Sequence, residues 1–312
     1  MDSLFISLDA VLPLFLMMAV GYIIRLTGLL NDISARQVNK CIFKVFLPLM
    51  IFVNIYDTGA GGDLRNDLLF FAAAGVLIEF LVSLVLVLLT EQDNSRRGVM
   101  LQGMFRSNFV LFGIPISMAL FGDRAAGTAS LLIAVIIPMF NALAVLALEM
   151  FNGQRPNLWQ VLLGIVTNPL IIASLLGILF NYFGWRLPNV LHSTMSTLGG
   201  IATPLAFVVL GASLSFGETG RCVRPLLITL LVKLLIYPAA FVGAAILMGF
   251  RGANLAVLLT VFGSPIAVSS FTMAQQMGGD DQLAGQLVVF SSVLSIGTMF
   301  LYIWGLTYFG FF

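Results

Sequence analysis

Charged residues are scarce in this sequence. Lys, Arg, Asp and Glu together make 9% of its 312 residues, where an ordinary soluble domain carries about 25%. That excludes a soluble enzyme of usual composition, and the apolar content excludes a disordered chain. The 15 basic and 14 acidic residues leave a net charge of +1, so there is no basic footprint for nucleic acid. Histidine occurs once, at His192, which excludes a His-built metal centre and argues against a Ser–His–Asp triad. The two cysteines, Cys41 and Cys222, border apolar runs and offer neither a disulfide framework nor a zinc spacing. The opening MDSLFISLDAVLPLFLMMAVG lacks a basic n-region, so it reads as a first span and not as a cleaved signal.

Hydrophobic residues, by contrast, make 60% of the chain. A membrane helix needs about 20 mostly apolar residues. Ten stretches qualify, over 10–27, 39–57, 67–90, 97–121, 126–152, 158–183, 191–215, 224–249, 252–277 and 282–308. The expected fold class is therefore an all-α polytopic membrane protein. The breaks are short and polar, as in EQDNSRR and FNGQRPN. Loops after the odd-numbered spans hold Arg25, Arg36, Lys40, Arg96, Arg97, Arg155, Arg221 and Arg224; the other face holds Arg65, Arg124, Arg186 and Arg251. The positive-inside bias puts the first face in the cytoplasm and both termini outside.

The two halves resemble each other. Pro13, Gly21, Gly28 and Pro48 recur 156 residues later as Pro169, Gly177, Gly184 and Pro204, and FGIPI at 112–116 recurs as FGSPI at 262–266. Residues 1–152 and 153–312 thus read as two five-span repeats. An odd span number forces the second half to enter the membrane in the opposite sense. That is the inverted-topology repeat of many secondary transporters.

Spans 4 and 9 each carry Gly-x-Pro, at Gly113–Pro115 and Gly263–Pro265. Proline removes a backbone donor and glycine permits unwinding. In hydrocarbon a break is tolerated only where it is buried in protein or lines a cavity. Half-helices beginning near Pro115 and Pro265 would aim positive dipole ends at one mid-membrane point, which suits an anion. The plainer alternative is two ordinary proline kinks. Candidate lining residues are Asn108, Asn141, Ser269, Ser270 and Ser292. Such neutral groups can hold a carboxylate without a full charge partner. Glu79 and Lys233 lie deep in spans 3 and 8. Intramembrane charges are functional candidates by default, although a structural tether is an equal reading.

These motifs resemble the auxin efflux carrier family, which includes bacterial malonate and organic-acid permeases and the plant PIN carriers. Asn108-Phe-Val-Leu-Phe-Gly-Ile-Pro115 is similar to the family's span-4 motif, and the segment from Ser264 to Gly279 to its span-9 motif. Asn39-Lys40 with Pro48, Asn168-Pro169 with Gly177, and Lys233 with Pro238 fit spans 2, 6 and 8. The resemblance implies an NhaA- or bile-acid-symporter-like fold. It further implies a scaffold bundle of spans 1, 2, 6 and 7, a transport bundle of spans 3–5 and 8–10, and a homodimer through spans 2 and 7. Asn108 and the backbone beside Pro115 and Pro265 would contact a carboxylate. The short central loop, Ile51 after the span-2 proline and Ser269-Ser270 in place of a second proline depart from plant carriers, so a small carboxylate in a bacterial inner membrane is expected rather than auxin.

The expected activity is secondary or facilitative transport of a small organic anion by an elevator-type movement, not enzymatic chemistry. No cofactor is indicated. The coupling ion is left open between Na+, H+ and none. The rivals are a sodium-coupled symporter of bile-acid type, a channel, a ligand-sensing membrane protein and, least supported, an intramembrane enzyme.

Overall fold

The computed structural model describes residues 2–58, 66–152, 158–213 and 223–312. Arg65, Arg155, Arg221 and Cys222 lie outside the described residues. The described residues are helical throughout apart from turns, caps and one isolated bridge. The helices are α1 (Asp2–Leu26), α2 (Asp32–Tyr56) and α3 (Asn66–Thr90), α4 (Asn94–Phe105), α5 (Phe109–Phe121), α6 (Asp123–Met150), α7 (Leu158–Thr167), α8 (Pro169–Tyr182), α9 (Asn189–Ser213), α10 (Val223–Leu247), α11 (Gly252–Gly263), α12 (Ser269–Gln276) and α13 (Asp281–Tyr308).

Six helices are long and apolar enough to cross a membrane: α2, α3, Leu131–Met150 of α6, α9, α10 and α13. This is an integral membrane protein by composition and length. Exposed apolar side chains line these helices, as Phe70, Leu77, Leu81, Val85 and Leu89 do on α3. In lipid such a surface carries no penalty. Exposed Tyr182 and Trp185 near the end of α8, and Trp304 and Tyr308 near the end of α13, suit the polar–apolar boundary.

The stretches at 97–121, 158–183 and 252–277 are each divided. Asn168 caps α8, its side chain accepting from the Leu170 N–H at 3.0 Å. Pro48, Pro115 and Pro238 are each preceded by one wide turn, over Ile42–Phe46, Phe109–Gly113 and Val232–Ile236. In two of them the N–H just before the proline, of Leu47 and of Tyr237, reaches five residues back, to Ile42 and Val232. Widening the turn removes the clash between a proline ring and the carbonyl four residues before it.

Helix α1 packs along α9, and α2 packs along both α8 and α9. Around α6 gather α3, α4, α5 and α11, while α12 packs on α13. The α1–α9 crossing is a backbone contact. A Cβ on Gly21 would stand 1.9 Å from the Val208 carbonyl oxygen, and one on Gly211 2.0 Å from that of Met18. Small residues permit such close approach in membranes, where packing replaces the hydrophobic drive.

Gly21→Ala and Gly211→Ala are each expected to cost about 1–3 kcal/mol by overpacking. Gly200→Ala, where a Cβ meets nothing within 4 Å, should leave stability unchanged or slightly raised. Thermal unfolding of the three variants in detergent checks this.

Candidate functional site

Two helix interruptions meet at one point. Helix α4 ends at Phe105 and α5 starts at Phe109; α11 ends at Gly263 and α12 starts at Ser269. Arg106 and Ser264 are extended. Ser107 and Ile266 pair as an isolated antiparallel bridge. The Asn108 N–H donates to the Pro265 carbonyl at 2.7 Å, and the Ile266 N–H donates to Ser291 Oγ at 3.1 Å. Unwound backbone at membrane depth needs partners, and here each broken segment supplies them to the other.

The first break lies seven residues before Pro115, not beside it. The wide turn Phe109–Gly113 already relieves that proline. The chain opens instead where it can pair with the other break. Pro115 is exposed near the start of the regular part of α5. Gly113 is buried against the Phe109 ring and Thr260 Oγ1. Neither lines the cavity described next. In the second break Pro265 is central, as its spacing suggests, and acts through its carbonyl.

A cavity of about 100 Å³ opens beside the crossing. Its walls include Met50, Ile51 and Asn54 of α2, Thr203 of α9, Ile137 and Asn141 of α6, and Arg106, Ser107, Asn108, Ala267 and Ser269 at the breaks. The structure thus brings Asn108, Asn141 and Ser269 together. Ser270 lies behind the wall, its carbonyl accepting from Gln102 Nε2 at 3.1 Å. Ser292 is turned to its own helix, donating to the Val288 carbonyl at 2.7 Å. Its neighbour Ser291 is the residue that serves the break. His192 is remote from the cavity walls and bonds Asp57 at 2.8 Å.

The lining is not neutral. Arg106 is 4% exposed, and its guanidinium donates to Asn141 Oδ1 at 2.7 Å and contacts Met273 Sδ. No carboxylate pairs with it among the described residues. The contact fixes the Asn141 amide, because its oxygen must face the guanidinium. Its Nδ2 is then left buried without an acceptor, as is Asn108 Nδ2. Arg106 is visible in the sequence as a polar member of span 4, but only the fold brings it against Asn141, 35 residues away.

Lys233 and Glu79 sit behind the crossing, both fully buried. Lys233 Nζ donates to Ser107 Oγ and, at 3.2 Å, to the Phe262 carbonyl. A cation at the C-terminal end of α11 also complements the helix dipole. Both carboxylate oxygens of Glu79 lack hydrogen-bond partners. Its backbone carbonyl accepts from Tyr237 Oη at 3.0 Å, and that hydroxyl also meets Ser83 Oγ at 2.6 Å.

Broken, mutually paired helices beside a donor-lined cavity describe a membrane carrier site. Comparison with known proteins agrees. The model of the membrane transport protein family matches residues 6–303, and the chain belongs to this family, that of the auxin efflux carriers. It is a family of transporters, not of enzymes. An "Uncharacterized transporter" of Methanothermobacter thermautotrophicus is 25% identical, over 93% of this chain and 95% of the relative. Auxin efflux carrier component 8 of Arabidopsis thaliana is 21% identical, over 94% and 95%. A Rhizobium meliloti protein named "Putative malonate transporter" is 23% identical, over 93% and 92%.

Removing the ammonium in Lys233→Met leaves the Phe262 carbonyl without this donor and Glu79 without its opposite charge. A loss of about 1–3 kcal/mol in stability is expected. The exchange Glu79→Lys with Lys233→Glu should not restore it, because a carboxylate then faces that carbonyl. Thermal unfolding of both variants in detergent is the check.

Proposed function

We propose that the chain carries a small organic carboxylate across the membrane. The observation that supports this most is the imbalance of the cavity. The Arg106 guanidinium, Asn108 Nδ2 and Asn141 Nδ2 are donors, the last two have no acceptor, and no acidic side chain pairs with the first. A ligand rich in acceptors and bearing negative charge satisfies all three, and a carboxylate is the simplest such group. The starts of α5 and α12 also border the cavity, adding positive helix ends. The malonate named for the Rhizobium meliloti relative is an acid of this kind.

The wider reading has ten spans as two inverted repeats, with α4–α5, α7–α8 and α11–α12 as broken spans. Helices α1, α2 and α7–α9 form the scaffold, and α3–α6 with α10–α13 the moving bundle. The cavity draws walls from both groups, which supports an elevator cycle. A polar chain also joins them on one side of the cavity. Asn39 Nδ2 donates to Gln275 Oε1 at 2.8 Å, Gln275 Nε2 to Asp281 Oδ2 at 3.0 Å, and Arg36 meets the same oxygen at 3.4 Å. The Asn39–Gln275 and Arg36–Asp281 contacts join the two groups and must break when the bundle moves. A homodimer through α2 and α9, a bacterial inner membrane and outward termini belong to the same reading.

Sodium-coupled uptake is the second reading, and a separate observation favours it. Ser264 Oγ, Ser270 Oγ, Thr272 Oγ1 and Gln102 Oε1 are buried near the breaks without hydrogen-bond partners, and neutral oxygens of this kind suit Na+.

Uptake of radiolabelled acid into proteoliposomes preloaded with the same unlabelled acid tests the function. Malonate, succinate, malate, lactate, pyruvate and indole acetate are used in turn, with and without Na+ and a pH step. Saturating uptake of at least one acid is expected, reduced at least tenfold in Arg106→Gln and in Asn108→Ala. Full activity in either variant would overturn the site. Joining Asn39→Cys to Gln275→Cys by a disulfide, in a Cys41→Ser, Cys222→Ser background, should stop transport until reduced. Unchanged transport after cross-linking would exclude movement at that seam.

A further inference from the structure

The buried acidic and basic side chains among the described residues are Glu79, Lys233 and Arg106. Glu79 and Lys233 lie behind the crossing, outside the cavity walls. Arginine does not give up its proton in proteins, so the Arg106 charge is permanent. It is the one that faces the cavity. Its protein partners are a neutral amide oxygen and a thioether.

We infer that the protein is an anion exchanger: it crosses readily with one carboxylate bound and poorly when empty. This rests on the carboxylate reading above. The empty bundle carries an unmatched guanidinium into the low-dielectric middle of its path. Moving an uncompensated charge there is costly, while a paired and hydrogen-bonded charge is far less so. A bound monocarboxylate, or one carboxylate of a larger acid, pairs with the guanidinium and cancels its charge. The loaded form therefore crosses faster than the empty one. Return without cargo is the slow leg, and a counter-anion on the far side removes it. Lys233 does not substitute for the cargo, because its ammonium is held by Ser107 and the Phe262 carbonyl and lies outside the cavity walls. Arg36 and Arg96 sit elsewhere and have carboxylate partners in Asp281 and Asp280.

The test uses the full chain in proteoliposomes with the membrane potential clamped by valinomycin and equal potassium. Radiolabelled malonate, succinate and lactate are offered outside, one at a time, with Na+ absent and then present. The lumen holds either the same unlabelled acid or only the potassium salt of an impermeant sulfonate. Exchange predicts an initial uptake at least tenfold faster into the acid-loaded vesicles. A smaller ratio, or concentrative uptake into acid-free vesicles driven by Na+, overturns it while leaving carboxylate transport intact. Silence from all three acids in both lumens counts against the carboxylate reading itself, and this inference falls with it.

Discussion

A polypeptide in hydrocarbon cannot leave backbone donors and acceptors open, and that constraint governs the centre of this protein. Two helices stop halfway. The groups they expose are satisfied by one another, through the Asn108–Pro265 hydrogen bond and the Ser107–Ile266 bridge. Ser291 and Lys233 take up neighbouring groups from outside the pair. The remaining helix ends then point at a cavity. Without the mutual pairing, neither break could persist at that depth, and Arg106 would not reach Asn141.

The cavity stands at the junction of differently packed groups of helices. Close backbone contact at Gly21 and Gly211 ties α1 to α9. Around α6 the contacts run through larger side chains, as where the Phe105 and Phe140 rings lie 6.3 Å apart. The seam between the groups is polar on one side, through Asn39, Gln275, Asp281 and Arg36. Hydrogen bonds between neutral amides are modest in net strength, so such a seam can hold one arrangement without making it permanent.

Much of this was legible in the sequence. The apolar stretches predict the helix positions to within a few residues for most of the chain, because hydrophobic length is a direct physical requirement of a bilayer. Resemblance to the auxin efflux carriers rested on ordered motifs and is borne out by the family match. The second break is written plainly at Pro265. The first is not, because Pro115 can be housed by a wide turn and the opening depends on a partner strand some 160 residues away in the chain. Lining residues divide in the same way. Asn108 sits at a break, so local reasoning reaches it. Asn54, Thr203 and the charge of Arg106 enter through tertiary packing that no local spacing encodes. Ser291 and Ser292 are indistinguishable as letters, and only helix rotation decides which one meets the break.

The wide turns before Pro48, Pro115 and Pro238 have a consequence for the phase of the helices that carry them. One residue beyond the regular repeat rotates everything after it by about 100° around the axis. Helix α2 therefore presents one stripe of side chains before Ile42 and a different stripe after Phe46. Asn39 belongs to the first stripe and Met50, Ile51 and Asn54 to the second, so one helix serves the polar seam with one face and the cavity with another. In these helices a regular spiral of the same length would swing the second half out of its groove, whereas deleting one residue within the wide turn would keep both halves in phase but press the proline ring against a carbonyl. The wide turns of α2, α5 and α10 thus decide which side chains share a face.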